Sequence, residues 1–277
     1  MILILFLAIK FYKTPKKSNL IKIIFLFFGL ALANRLTLIL LFPAFFYLLV
    51  KERKYLTKKI ILQSILFFLL GISLYLYLPL RASQNPIINW ANPKDFPTFL
   101  RVVSRKAYGH SLDLVSREFT HSEVFLPQMK IYLVNLLKEF GIIGIFLGFI
   151  GLFNSLRKDR IMFYFLLFLF ILSGPIFIFI SKMPVNPHSL AIVEASYMIP
   201  NLIYAIFISF GVLYILKKIN KKLILIGTSS FLIFFCVFPA KTRFNLLNNR
   251  NNFLGYDYGE NILKSLEPNS ILIMRKD

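Results

Sequence analysis

Cysteine is almost missing from this 277-residue chain. Its single thiol, Cys236, lies in an apolar run and cannot close an internal disulfide, so cysteine usage leaves the redox compartment open. Histidine is nearly as scarce, at three residues, and no His, Cys, Asp and Glu group has metal-ligand spacing. No metal and no cofactor is therefore expected. The 12 glycines build no phosphate-cradling loop, and no Ser/His/Asp or Cys/His arrangement supports nucleophilic catalysis. Acidic residues number 12 against 33 Lys and Arg. All charged residues together make up 16% of the chain, where soluble domains carry roughly a quarter.

Apolar residues take their place. They form 57% of the chain, 32 of them phenylalanines, and mean hydropathy is +0.70. A soluble fold of this length could not cover so much phenylalanine without a large apolar exterior. The apolar residues also fall into blocks of about twenty, the length a helix needs to cross a ~30 Å hydrocarbon core. This excludes a soluble domain and predicts an all-α polytopic membrane protein with about 6–8 membrane segments.

The formal charge of +21 does not call for a nucleic-acid partner. About half of the Lys and Arg fall in four short connectors between apolar blocks, as the positive-inside rule distributes them. One contains Lys10, Lys13, Lys16, Lys17 and Lys22, and the second is KERKYLTKK at 51–59. The third is Arg157, Lys158 and Arg160, and the fourth KKINKK at 217–222. With these inside, the long polar stretch 81–130 and the polar tail 241–277 lie outside. Residues 1–240 then form the transmembrane helical domain, and 241–277 begin an extracytoplasmic segment. The heavy use of Ile, Phe, Lys and Asn suggests an A/T-rich genome, hence a bacterial cytoplasmic membrane.

Block two, residues 20–50, is too long for one ordinary crossing and is interrupted by Asn34 and Arg35. Two half-helices, roughly 20–33 and 36–50, keep both flanking basic connectors on one side. Non-helical backbone at that depth is tolerated where it lines a polar cavity. An arginine inside a span is costly unless it faces such a cavity or snorkels, which makes Arg35 a candidate site residue. The other apolar blocks are 1–12, 60–80, 131–153, 161–180, 197–216 and 223–238. Block two is read as the only span with a conspicuous ionisable group, and no internal repeat is apparent, which disfavours an inverted-repeat transporter.

The stretch 75–109, YLYLPLRASQNPIINWANPKDFPTFLRVVSRKAYG, carries the most specific order of residues. Arg81 emerges at an aromatic, Pro-containing helix end, and Asn85-Pro86 and Asn92-Pro93 bracket Asn89-Trp90 as two turns. One amphipathic helix is predicted near 96–108, with Arg101, Arg105 and Lys106 at helical spacing and Tyr108-Gly109 as its stop. Arg81 with Arg105 suits a phosphate clamp, because a guanidinium fork matches phosphate oxygens. Trp90 either stacks on a sugar ring or floats at the interface, and boundary Tyr, Trp and Arg often serve only as anchors. Glu194 sits at a helix entrance, where the dipole favours a carboxylate. His188 follows Pro187 in an exposed turn.

This order, Tyr-Leu-Pro-x-Arg, then Asn-Pro-x-x-Asn-Trp, then Ser-Arg-x-x-Tyr-Gly, resembles the protein O-mannosyl-transferase-like membrane proteins (domain of unknown function 2723). Residues 29–43 (GLALANRLTLILLFP), with Arg35 where a His is usual, and 194–200 (EASYMIP), with Ser196 in place of Phe, are similar to further family elements, as is YDYGENILKSLEPNSILI in the tail. The resemblance implies a C-type glycosyltransferase bundle. Such an enzyme moves a sugar from a polyprenyl-phosphate donor to an acceptor on the external face. It implies a substrate site drawn from Asn34, Arg35, Arg81, Asn85, Asn89, Trp90, Arg105, Tyr108 and Glu194. Membrane lipid, the lipid-linked sugar, a protein acceptor and an upstream-encoded partner are the expected partners. The family's N-terminal helices and acidic first external loop have no counterpart here, so the chain is expected to be a fragment, inactive alone. A transporter and a non-catalytic scaffold are the alternatives.

Overall fold

In a computed structural model the described residues are 1–104, 106, 121–218 and 250–268, with single positions 226, 227, 230, 233, 237, 244, 248, 270 and 272. Among them the regular structure is helical throughout, with no strand. Four stretches are long and apolar enough to cross a membrane: Lys58–Ser83, Glu123–Lys158, Arg160–Ser181 and Ser189–Lys218. Residues Met1–Ile215 form one compact unit and Leu216–Asp277 a second. The apolar block at 223–238 lies largely outside the described residues.

The first unit begins with α1 (Ile2–Lys13), a short helix whose Ile4, Leu5, Leu7, Ala8 and Phe11 are buried. A tight basic turn leads to α2 (Asn19–Asn34). Arg35 then leaves helical geometry for extended backbone, at φ −139° and ψ 106°. A 3-10 segment, Leu36–Leu41, runs into α3 (Phe42–Lys51), which Pro43 opens at its first turn. Block two is thus a hairpin of two short helices, as its hydropathy and charge predict. Phe28 meets both Phe42 and Phe45, at ring separations of 6.1 and 5.8 Å.

Next, α4 (Lys58–Ile72) is capped by Thr57, whose hydroxyl accepts from the Ile60 N–H at 3.3 Å. A 3-10 turn joins it to α5 (Tyr77–Ser83). Helix α4 runs parallel to α2 at close range, and Gly29 and Gly71 make this possible. A Cβ on Gly29 would lie 2.9 Å from the Ile72 nitrogen, and one on Gly71 would lie 2.8 Å from the Leu30 nitrogen. Small residues at a crossing let backbones approach, and in lipid such packing, rather than apolar burial, holds helices together.

The next described helices after α6 (Phe96–Val103) are α7 (His121–Lys158), α8 (Arg160–Ser173), α9 (Pro175–Ser181) and α10 (Pro187–Lys218). Helix α6 stops at Val103 with Ser104 as its cap, shorter than the 96–108 predicted. Helix α7 begins ten residues before the apolar block it contains, because Val124 and Gln128 already pack inward there. Further along, Ile142, Phe146, Phe149 and Phe153 form an outward apolar stripe at helical spacing, each more than half exposed. Such a stripe is unfavourable in water and natural against lipid.

The first three basic turns gather at one end of this unit. Tyr12, at the end of α1, donates to Asp159 in the turn between α7 and α8, at 2.8 Å. Tyr47, just before Lys51, packs edge-on against Tyr164 and Phe168 at the start of α8. Connectors far apart in sequence thus share one surface, as their charges predict.

Helix α7 is broken at Gly141, whose φ of 64° and ψ of 175° lie in a region that essentially only glycine occupies. We expect Gly141→Ala to destabilise the first unit by about 1–3 kcal/mol through backbone strain alone. There is open space around that position, so no clash contributes. A detergent melting curve checks this, and an unchanged midpoint would count against the broken backbone.

Candidate functional site

The tip of the α2–α3 hairpin presents Asn34 and Arg35. Sixteen residues of α2 at 1.5 Å each raise this tip about 24 Å from the basic end. The Arg35 backbone N–H still closes onto Ala31, and its own carbonyl accepts from Leu38 at 3.2 Å. The chain turns without leaving these groups open. The Arg35 Nη2 donates to Ser196 Oγ of α10 at 2.6 Å. Its surroundings include Thr37, Leu172, Ser173 and Phe177, about a recess of roughly 20 Å³, room for about one water. Among the described residues no carboxylate forms an ion pair with it. A guanidinium has five N–H donors, so Ser196 occupies a small part of its capacity.

Asn34 faces elsewhere. It lines a cleft of about 460 Å³ with Leu30, Ala33, Leu74, Tyr75, Leu78 and Val102. The Tyr75 hydroxyl donates to the Leu32 carbonyl at 3.2 Å, which ties the 3-10 turn after α4 to the hairpin. Val102 belongs to α6, so the amphipathic helix borders this cleft.

The Asn-Pro and Asn-Trp turns close the loop on itself. Asn85, Ala91 and Asn92 all adopt left-handed backbone, with φ of 49°, 56° and 42°, a conformation that Asn tolerates better than most residues. The Asn89 amide donates to the Asn92 Oδ1 at 2.8 Å and to the Ala82 carbonyl at 3.3 Å. Asn85 Oδ1 accepts from the Lys94 ammonium. Arg81 donates to Gln84 at 2.8 Å. Trp90 is 64% exposed. The polar heads of this signature therefore hold the loop's own shape, and Asn85 and Asn89 are not brought to Arg35. Arg105 and Tyr108 lie outside the described residues.

Asp95 caps α6, accepting from both the N–H and the hydroxyl of Thr98 at 2.8 Å. These hydrogen bonds hold its carboxyl below the usual Asp range. A lowered folded-state pKa contributes stability that is present above the ordinary Asp value and lost as pH falls through the folded one. We expect α6 to fray on acidification below pH 4, and Asp95→Asn to weaken that dependence. Hydrogen exchange at Phe99 and Leu100 checks it; protection that ignores pH would contradict the cap.

A second polar group, of which the sequence reading names Glu194 alone, sits between α7 and α10. Asn135, Lys138, Glu139, Glu194, Tyr197, Met198 and Asn201 line a cleft of about 410 Å³. Glu194, Tyr197, Met198 and Asn201 follow i, i+3, i+4, i+7 spacing on one face of α10. Asn201 donates to Glu139 Oε2 at 2.6 Å, and Asn135 donates to Glu194 Oε1 at 3.4 Å. Behind them Tyr197 donates to Gln128, which in turn donates to the carbonyls of Met183 and Pro184. Asn201 is 7% exposed, and its Oδ1 has no protein donor. An orphaned buried acceptor costs about 1–3 kcal/mol and calls for an explanation.

The register that builds this cleft comes from glycine. Helices α7 and α10 run parallel, and a Cβ on Gly151 would stand 2.6 Å from the Gly211 nitrogen and overlap the Phe207 carbonyl. Tyr204 fits over Gly148 and donates to the Ile145 carbonyl at 2.8 Å. The signal that sequence reading passed over is Lys138-Glu139 inside an apolar block. Block two is not the only span with ionisable groups, and Gly141 places a backbone break two residues beyond Glu139.

The protein O-mannosyl-transferase tmem260 of Dictyostelium discoideum is 26% identical to this chain over 275 aligned residues. The alignment takes in 90% of the chain and 33% of the relative. The chain thus spans about a third of the length of the curated relative it matches. No family model matches, so the likeness to domain of unknown function 2723 rests on the motifs alone. No solved structure matches. The chain is a distant homologue of an O-mannosyl-transferase and is built from apolar helices, as membrane proteins are.

Proposed function

We propose that this chain is a multi-pass membrane glycosyltransferase of the C type, taking a sugar from a polyprenyl-phosphate donor. The basic turns face the cytoplasm, and the hairpin tip and the α7–α10 cleft face the opposite, external side. The observation that carries the reading is Arg35. It is a guanidinium held about 24 Å from the basic end, hydrogen-bonded to a neutral Ser196. A charge set among apolar side chains with a neutral partner is costly and suits an anionic group on a lipid. The likeness to an O-mannosyl-transferase supplies the reaction class and points to mannose and a protein acceptor.

In the transfer, the bond from sugar C1 to the phosphate oxygen breaks and its electron pair leaves with the phosphate. The acceptor oxygen forms the new bond to C1 and releases its proton to a base. Arg35 stabilises the leaving phosphate, with developing negative charge met by a fixed donor. Asn34 borders the neighbouring cleft beneath α6, where the donor's lipid-proximal part is seated.

The test is transfer of radiolabelled mannose from polyprenyl-phosphate mannose to a Ser/Thr-rich peptide, with the chain in nanodiscs, alone and with any polypeptide encoded directly upstream. Turnover in either sample supports the reading. No turnover, together with no binding of the donor, would refute it. Donor-independent flux of a solute through liposomes, lost in Arg35→Ala, would replace it by a transporter.

A further inference from the structure

We infer that the cleft between α7 and α10 is a binding site for a pyranose ring, held by Glu139, Glu194 and Asn201 and separate from the Arg35 tip. Its chemistry narrows the ligand. Two carboxylates disfavour a phosphate or another anion. Lys138 on the lining and the amide N–H groups already given to both carboxylates disfavour a bare metal cation. Mixed acceptors, amides that both donate and accept, and an ammonium together match a neutral ligand rich in hydroxyls, each of which donates and accepts.

Size and shape agree. The cleft holds about 410 Å³, within the roughly 300–1,000 Å³ of small-molecule sites. Tyr197 and Met198 supply an apolar wall for the C–H face of a ring. Asn201 lines this cleft and fixes Glu139 through its amide N–H, while its own Oδ1 is buried without a protein donor. The broken backbone at Gly141, just beyond Glu139, is the kind of irregularity that membrane helices keep where they line a polar cavity.

The transferase reading enters only in naming what carries the ring: a lipid-linked sugar or a free glycoside. Three probes separate these sources for the full chain in nanodiscs: polyprenyl-phosphate mannose, sugar-free polyprenyl phosphate and methyl mannoside. Glu139→Gln and Asn201→Ala are expected to weaken the sugar-bearing lipid by about 10- to 100-fold, the loss of one or two hydrogen bonds to a charged group. Affinity for the sugar-free lipid should change less than about twofold. Should either variant misfold, Met198→Trp gives a second route, since Met198 is exposed on the rim and a larger side chain fills the cleft without removing a hydrogen bond.

Equal weakening of both lipids would overturn the inference, as would no effect of any variant. So would wild-type binding of the sugar-free lipid combined with no affinity for either mannosyl probe. Binding of methyl mannoside that depends on Glu139, without binding of either lipid, would keep the cleft and overturn the transferase reading instead.

Discussion

Gly151→Leu is expected to abolish the folded first unit. Any Cβ at this position overlaps the Phe207 carbonyl and stands 2.6 Å from the Gly211 nitrogen. These are backbone atoms of a packed helix, so no flexible side chain can move aside. Relief requires α10 to shift away from α7. That shift would uncouple Asn201 from Glu139 and Tyr204 from Ile145, both now joined by hydrogen bonds. Overpacking in cores costs typically 1–3 kcal/mol. With backbone on both sides the loss here should reach about 3 kcal/mol or more, a large share of total stability. In detergent, Gly151→Leu should elute as aggregate on size exclusion, and Gly29→Leu, at the α2–α4 crossing, should do the same. Gly259→Ala is the control, since nothing lies within 4 Å of a Cβ there. A sharp monomer peak from Gly151→Leu would refute the close crossing.

Arg35→Leu should separate stability from activity. Its charge lies among Leu38, Leu41, Leu172 and Phe177, with Ser196 as a neutral partner. Removing it gives up one hydrogen bond, worth about 1–3 kcal/mol because the donor is charged. It also removes a charge that burial among these apolar side chains makes costly. These terms oppose one another, so the melting midpoint should change little. Transfer from the lipid-phosphate donor should fall by about 100-fold or more, the usual effect of losing one preorganised donor to developing charge. Arg35→Lys keeps the charge but not the fork and should fall between. A melting midpoint that drops in step with activity would make Arg35 a structural residue. Activity within twofold of wild type would remove it from the site.

Hydropathy and charge placement, read from the sequence alone, determine that the chain is helical and apolar enough for a membrane. They also determine where most helices lie and that block two breaks at Asn34-Arg35. Each is a local property: a run of apolar residues, or a polar pair interrupting one. The motif around Asn89-Trp90 and the resemblance it carries were legible for the same reason. Only the tertiary structure decided what those residues touch. The Asn-Trp signature turned inward to its own loop, because Asn85 and Asn92 in left-handed backbone direct its polar heads onto neighbouring residues. Arg35 was joined to Ser196, 161 positions away. The cleft at Glu139, Glu194 and Asn201 depends on the register of α7 against α10, which the glycine crossing sets. No window of twenty residues contains both helices, so their shared polar face becomes visible only when the chain is packed.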